Sequence, residues 1–90
     1  MRNFSGFEWD DNKRQANAAK HGLDFADAVR VFEDPKQFSY RSPHRSERRF
    51  VSMGKVKGQL IAVVFTRRAD KLRIISARAA RKIERMQYDR

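Results

Sequence analysis

Cysteine is absent from this chain, so disulfides and thiolate metal sites are excluded and a reducing cytosol is the expected compartment. Histidine occurs only twice, and no paired His–Glu pattern gives it metal-ligand spacing. The four glycines form no phosphate-cradling loop, and no nucleophile elbow is present. The opening residues, Met1 to Gly6, hold no apolar core of signal-peptide length. No run approaches the roughly 20 apolar residues that a membrane span needs. The expectation is a soluble, cytoplasmic protein without cofactor or metal. Its 90 residues suffice for one small domain, residues 1–90, with a modest core.

Acidic residues are also scarce, and unevenly so. The net charge is +10; residues 1–46 carry 8 Lys/Arg against 7 Asp/Glu, whereas residues 47–90 carry 13 against 4. Nine of the ten excess charges therefore belong to the second half. A one-sided basic surface attracts nucleic acid, membrane headgroups or an acidic protein. No strongly apolar amphipathic face accompanies the charge, which argues against a membrane.

The stretch Leu72 to Arg78 reads as a buried strand with arginines inside and at its end. Strict alternation puts Leu72, Ile74, Ser76 and Arg78 on one face and Arg73, Ile75 and Ala77 on the other. Each arginine then needs a surface, an acid or an anion, or snorkels to water at the sheet edge. Earlier in the chain, Phe4 to Trp9 reads as a short strand or extended arm. Asp10 caps a helix that runs to Lys20 and stops at Gly22. On it Trp9, Lys13, Ala16 and Lys20 align, beside a polar face of Arg14, Asn17 and His21. Asp24 caps a second helix whose apolar stripe is Phe25, Ala28, Val29 and Phe32, ended by Asp34-Pro35. Gln37 to Tyr40 suggests a short strand, and Arg41 to Ser46 a basic loop. Strands are expected over Glu47 to Met53 and Gln59 to Thr66, joined by a turn at Gly54 to Gly58. Arg67 to Asp70 makes a second tight connection. A last helix spans Ala79 to Tyr88, with Ala79, Ile83 and Met86 buried and Tyr88 beside Glu84 and Arg81 on its polar side. The reading is α+β: two N-terminal helices, a three- or four-stranded antiparallel meander and a C-terminal helix.

The chemistry available is a set of arginines with the acid–base candidates Lys13, Lys20, His21, Glu47, Glu84 and Tyr88. Metal-free RNA cleavage suits it, since the substrate's own 2′-hydroxyl is the nucleophile and cyclic phosphate ends result. The protein needs only a base, an acid and cations for the charge growing on phosphorus. Arginine meets two phosphate oxygens at once. Each residue also has a plain structural reading. His21 suits the negative end of its helix, Glu47 can pair with Arg49 or Arg68, Tyr88 can cap the core edge, and surface arginines can simply be solvated.

The chain resembles the BrnT toxin family of type II toxin–antitoxin systems, within the wider RelE/ParE-like superfamily. The resemblance runs through Phe7-Glu8-Trp9-Asp10, Lys13 and Asn17, then Lys20-His21-Gly22, Phe25, Ala28, Phe32 and Asp34-Pro35. It continues with Glu47, Arg49, Gly54, Thr66, Arg68, the run Arg73 to Arg78, Ala80, Glu84 and Tyr88. It implies a RelE-like fold, RNA cleavage that arrests translation, and neutralisation by a cognate BrnA-like antitoxin in a hetero-oligomer. DNA would be met only through the antitoxin's ribbon-helix-helix part. By matching position it implies Lys20, His21, Glu47, Arg49, Arg68, Arg78 and Tyr88 as active-site residues. Arg68 and Arg78 are then expected on the scissile phosphate and Arg49 on its neighbour. Glu47 or His21 would be the base, and His21, Tyr88 or a lysine the acid. Lys13, Lys20, Arg67 and Arg73 are expected to hold substrate. Arg67 and Ala79 stand where the pattern varies, and the loop from Arg41 to Ser46 is short and unusually basic.

Two other classes stay open at this point. One is a non-catalytic basic module that grips an acidic antitoxin segment or nucleic acid, and the other is a structural subunit. A transcription factor acting alone lacks its helix-turn-helix pattern.

Overall fold

A computed structural model describes residues 5–90. Its elements follow in the order β1 (Gly6–Trp9), α1 (Asp11–His21), α2 (Phe25–Ala28), β2 (Phe38–Ser42), β3 (Arg49–Val56), β4 (Gln59–Arg68), β5 (Lys71–Ala79) and α3 (Lys82–Tyr88). A 3-10 segment, Val29–Glu33, continues α2. The five strands form one sheet in the order β1-β5-β4-β3-β2. This is α+β, but the purely antiparallel meander behind two helices is corrected. A strand precedes the first helix, and β1 lies parallel to β5 with Phe7 opposite Leu72 and Trp9 opposite Ile74. A parallel pair needs a long crossover, and nothing in local periodicity announces which distant strand an edge will join. Phe4, read as part of this segment, lies outside the described residues.

The caps behave as their residues dictate. Asp10 accepts hydrogen bonds from the Asn12 and Lys13 amides, and Gly22 takes a left-handed φ of 70°. Asp24 accepts from the Ala26 amide. The expected stripe of α2 is met in part: Phe25 and Ala28 are buried with Val31, while Val29 and Phe32 are half-buried.

The turn expected from Gly54 shrinks to Lys57-Gly58, both with positive φ. Gly54 is instead a buried strand residue, and a Cβ there would sit 2.8 Å from the Val31 carbonyl oxygen. Close passage of the 3-10 segment over β3 is therefore what requires glycine.

One face of the sheet packs on α2 and the 3-10 segment through Phe25, Val31, Ile61, Val63, Phe65, Leu72, Ile74 and Ala77. The strict alternation expected along β5 is broken: Val64 pairs with Ser76 but Phe65 with Ile74, so Ile75 is the extra residue of a bulge. Parity shifts there. Leu72, Ile74 and Ala77 all face the core, and Arg73, Ser76 and Arg78 all turn to the second face. On that face α3 covers a smaller cluster of Val51, Met53 and Ala62 with Phe38, Val64 and Ala80.

The last helix is both shorter and turned over relative to expectation. Ala79 remains in β5 opposite Ile61, and the Ala80 amide donates to the Leu60 carbonyl. Ile83 and Met86, expected in the core, are 65% and 62% exposed, whereas Glu84 and Tyr88 are buried. Their polar partners, described next, decide this orientation.

Candidate active site

Beyond α3 the second face is uncovered, and the C-terminus of α1 stands over its edge. Asn17 holds it there. Its Nδ2 donates to the Ala77 carbonyl at 2.9 Å and the Leu23 carbonyl at 3.1 Å, and its Oδ1 accepts from the Ala77 amide at 3.1 Å. Above the end of β1, this side chain does the pairing that another strand would do. Read from sequence as part of a polar face, Asn17 is in fact buried. Three and four residues later, Lys20 and His21 come to the rim of a cavity.

That cavity, of about 450 Å³, is lined by Lys20, His21, Tyr40, Ser42, His44, Arg49, Ser76, Arg78 and Arg81, among others. A second, of about 340 Å³, shares Lys20, His21, Arg49 and Ser76 with it and adds Lys13. Together they form one groove across β3, β4 and β5 with cations from four parts of the chain. Groups separated widely in sequence converge here because the parity shift in β5 brings Ser76 and Arg78 to the face that Arg49 occupies.

The floor at the α3 end is an ion pair between the half-buried Arg78 and the buried Glu84. Arg78 donates from Nη1 to Glu84 Oε1 at 2.7 Å and from Nη2 to Oε2 at 2.8 Å. Glu84 also accepts from the Tyr40 hydroxyl at 2.6 Å and the Arg81 amide at 2.8 Å. Burial pushes the Glu84 carboxyl up, but these hydrogen bonds outweigh it and bring it down to about 2. Burial, then the bond to Glu84, raise the Tyr40 phenol. The two-pronged grip expected of Arg78 on a phosphate is thus made here to a carboxylate.

At the other end, Glu47 accepts from Arg49 Nε at 2.9 Å. That bond holds its carboxyl below the usual range, helped by the charges of His44 and Arg68. Glu47 is therefore an ionised acceptor amid cations at the groove's edge, sharing a neighbouring surface hollow with His44 and Arg45.

The sequence-derived site residues thus divide. Lys13, Lys20, His21, Arg49 and Arg78 line the groove, Glu47 is tied to it through Arg49, and Arg68 reaches it only as a charge felt by Glu47. Three lie elsewhere. Tyr88 donates to Asp34 Oδ2 at 2.5 Å and lines a different hollow with Arg30 and Lys55, its phenol pushed up to about 12 by that bond. Arg73 is spent on Glu8 at 3.1 Å across the β1–β5 pair. Arg67 turns to the opposite side, donating to the Ala69 carbonyl and lining a hollow with Phe50 and Phe65. Residues not singled out for the site are Tyr40, His44, Ser76 and Arg81. The unusual basic loop was the signal that could have pointed to His44. Among the described residues, no group of three or more His, Asp or Glu side chains is placed to hold a metal ion, and no helix is long and apolar enough to cross a membrane.

Residues 9–84 match the family described as ribonuclease toxin, BrnT, of type II toxin–antitoxin system. The chain belongs to the BrnT family. No curated protein matches it. The BrnT match begins at Trp9 and ends at Glu84, so it spans the groove and the Arg78–Glu84 pair, while Tyr88 falls beyond it. Membership makes this chain a ribonuclease toxin of the BrnT type whose partner is a protein antitoxin.

Proposed function

We propose that this BrnT chain cuts RNA without a metal ion, through the groove between α1 and the uncovered half of the sheet. The observation that carries the reading is the convergence of Lys20, His21, Arg49 and Arg78 on one cavity. A single RNA strand follows the cations, with Lys13 and Lys20 on flanking phosphates. Arg49 and Lys20 take the non-bridging oxygens of the scissile phosphate and stabilise the charge that builds there. Glu47, ionised beside Arg49, removes the 2′-hydroxyl proton. The resulting alkoxide attacks phosphorus, and the P–O5′ bond breaks. His21 protonates the departing 5′-oxygen, histidine being the side chain that exchanges protons near neutral pH. Products are a 2′,3′-cyclic phosphate and a 5′-hydroxyl. Arg78, paired to Glu84, contributes a rigid positive floor, and Arg68 contributes charge at the Glu47 end. Cleavage of messenger RNA arrests translation, and a BrnA-like antitoxin relieves it, meeting DNA on the toxin's behalf.

The test is incubation of purified protein with end-labelled RNA in EDTA. Wild type should leave cyclic phosphate ends; Arg49→Ala and His21→Ala should each lose about 10²–10³ in rate while folding normally. Intact RNA both free and on translating ribosomes, from a folded protein that still binds antitoxin, would overturn the reading in favour of a non-catalytic basic module.

A further inference from the structure

The groove and its supports leave one feature unexplained. α3 is inverted: its acid and its tyrosine point in, and its two large apolar side chains point out. Ile83 and Met86 lie three residues apart on one helix face and are 65% and 62% exposed. Among the described residues, the next most exposed large apolar side chain is Tyr40, at 37%. An apolar pair held outward by a fixed helix marks an interaction surface. The helix is fixed, since Glu84 and Tyr88 tie it to Arg78, Tyr40 and Asp34.

The surroundings say what covers it. Lys82 and Arg85 are exposed beside the pair, and neither forms a salt bridge among the described residues. Arg81, at the start of the helix, lines the groove itself. We propose that the Ile83–Met86 ridge is the docking site for an acidic, amphipathic segment of the protein antitoxin. This rests on the reading of the chain as a toxin held by such a partner. The segment presents apolar side chains at helical spacing to Ile83 and Met86, and flanking Asp or Glu to Lys82 and Arg85. A segment continuing past Arg81 enters the groove mouth, where its carboxylates meet Lys20 and Arg49 in place of phosphates. Docking on α3 and closure of the groove are then one event. A second copy of this chain fits the ridge less well, because it would bring the same uncompensated cations against Lys82 and Arg85.

The probe is the antitoxin encoded with this chain, purified and labelled, with affinity read by titration against the full-length toxin. Ile83→Asp combined with Met86→Asp should weaken binding by about tenfold or more while leaving the rate of RNA cleavage unchanged. Lys82→Glu combined with Arg85→Glu should weaken binding and flatten its salt dependence. Since all four positions are exposed, folding of each variant is checked by its thermal transition. Wild-type affinity in both double variants would overturn the proposal. So would a toxin that sediments as a dimer and becomes monomeric on Ile83→Asp with Met86→Asp, since a second copy would then own the ridge. If wild type cuts no RNA, either free or on translating ribosomes, the proposed cleavage reading fails, and the binding titration still decides the docking site.

Discussion

Glu84 accepts four hydrogen bonds on a side chain that is 1% exposed. The Arg78 guanidinium and the hydroxyl and amide beside it keep this carboxylate ionised where burial alone would favour its neutral form. Glu84→Ala removes the acceptor of the Tyr40 hydroxyl and the Arg81 amide as well as the partner of Arg78, and a group left unpaired in this way costs about 1–3 kcal/mol. We expect the thermal midpoint of this variant to fall well below that of Glu84→Gln, which keeps the shape and the Tyr40 contact. The pH dependence follows from the sign of the shift. Glu84 titrates at about 2 in the fold and at 4.5 ordinarily, so its contribution is complete above the higher value and is lost as pH falls from one to the other. Urea midpoints measured across that acid window should drop steeply for wild type and less for Glu84→Gln. Tyr88 acts at the opposite end of the scale. Its phenol is raised to about 12, so its contribution is present below 10 and lost as pH rises through 12. Tyr88→Phe should lose stability at neutral pH and show a flatter alkaline limb.

The elements are held in place by a few side chains that substitute for missing backbone partners. Asn17 closes the open backbone of β5 at Ala77 on both its amide and its carbonyl. Asn17→Ala strands both groups in a buried site, at about 1–3 kcal/mol for each group left unpaired. It also frees the α1 terminus that carries Lys20 and His21. RNA cleavage should therefore fall further in this variant than its loss of stability accounts for, which cleavage rates measured well below its thermal transition would reveal. Gly54 answers a different requirement. With a Cβ only 2.8 Å from a backbone oxygen that cannot rotate away, Gly54→Ala should cost about 1–3 kcal/mol in chemical denaturation. α3 depends on its surroundings most of all. Seven residues are too few for an independent helix, and Glu84 and Tyr88 supply what propensity cannot.

For the molecule as a whole, the uneven charge becomes a directed one. β3, β4 and β5 belong to the basic half and form the centre of the sheet, while α1 brings Lys13, Lys20 and His21 from the balanced half to the same groove. RNA affinity should therefore fall linearly on logarithmic axes with salt, by about 0.7 in slope for each phosphate neutralised. Lys13→Ala and Lys20→Ala should each flatten that slope by one such step, measured by anisotropy of a labelled single strand. Arg67→Ala, on the other side of the sheet, should leave it unchanged.

What the chain determined by itself is what short-range physics governs. Asp10 and Asp24 set the helix starts through bonds from amides two or three residues on, Gly22 ends α1 by its left-handed turn with its amide on the Ala18 carbonyl, and the strand expected over Gln59 to Thr66 formed as β4. The ordered set of motif residues carried the family. The tertiary structure decided whatever depends on a distant partner. It chose β5 as the neighbour of β1 and let a bulge at Ile75 bring Arg73 and Arg78 to one face. It also turned α3 over, because two residues that read as polar by periodicity found Arg78, Tyr40 and Asp34 waiting across the sheet. Part of the lining of the candidate groove was legible for the same reason. Lys20, His21, Glu47 and Arg49 are marked by type and position, but whether an arginine meets a phosphate, as read for Arg78, or an internal carboxylate depends on which face it takes. A sequence period cannot report that face once a single residue has been added to the strand.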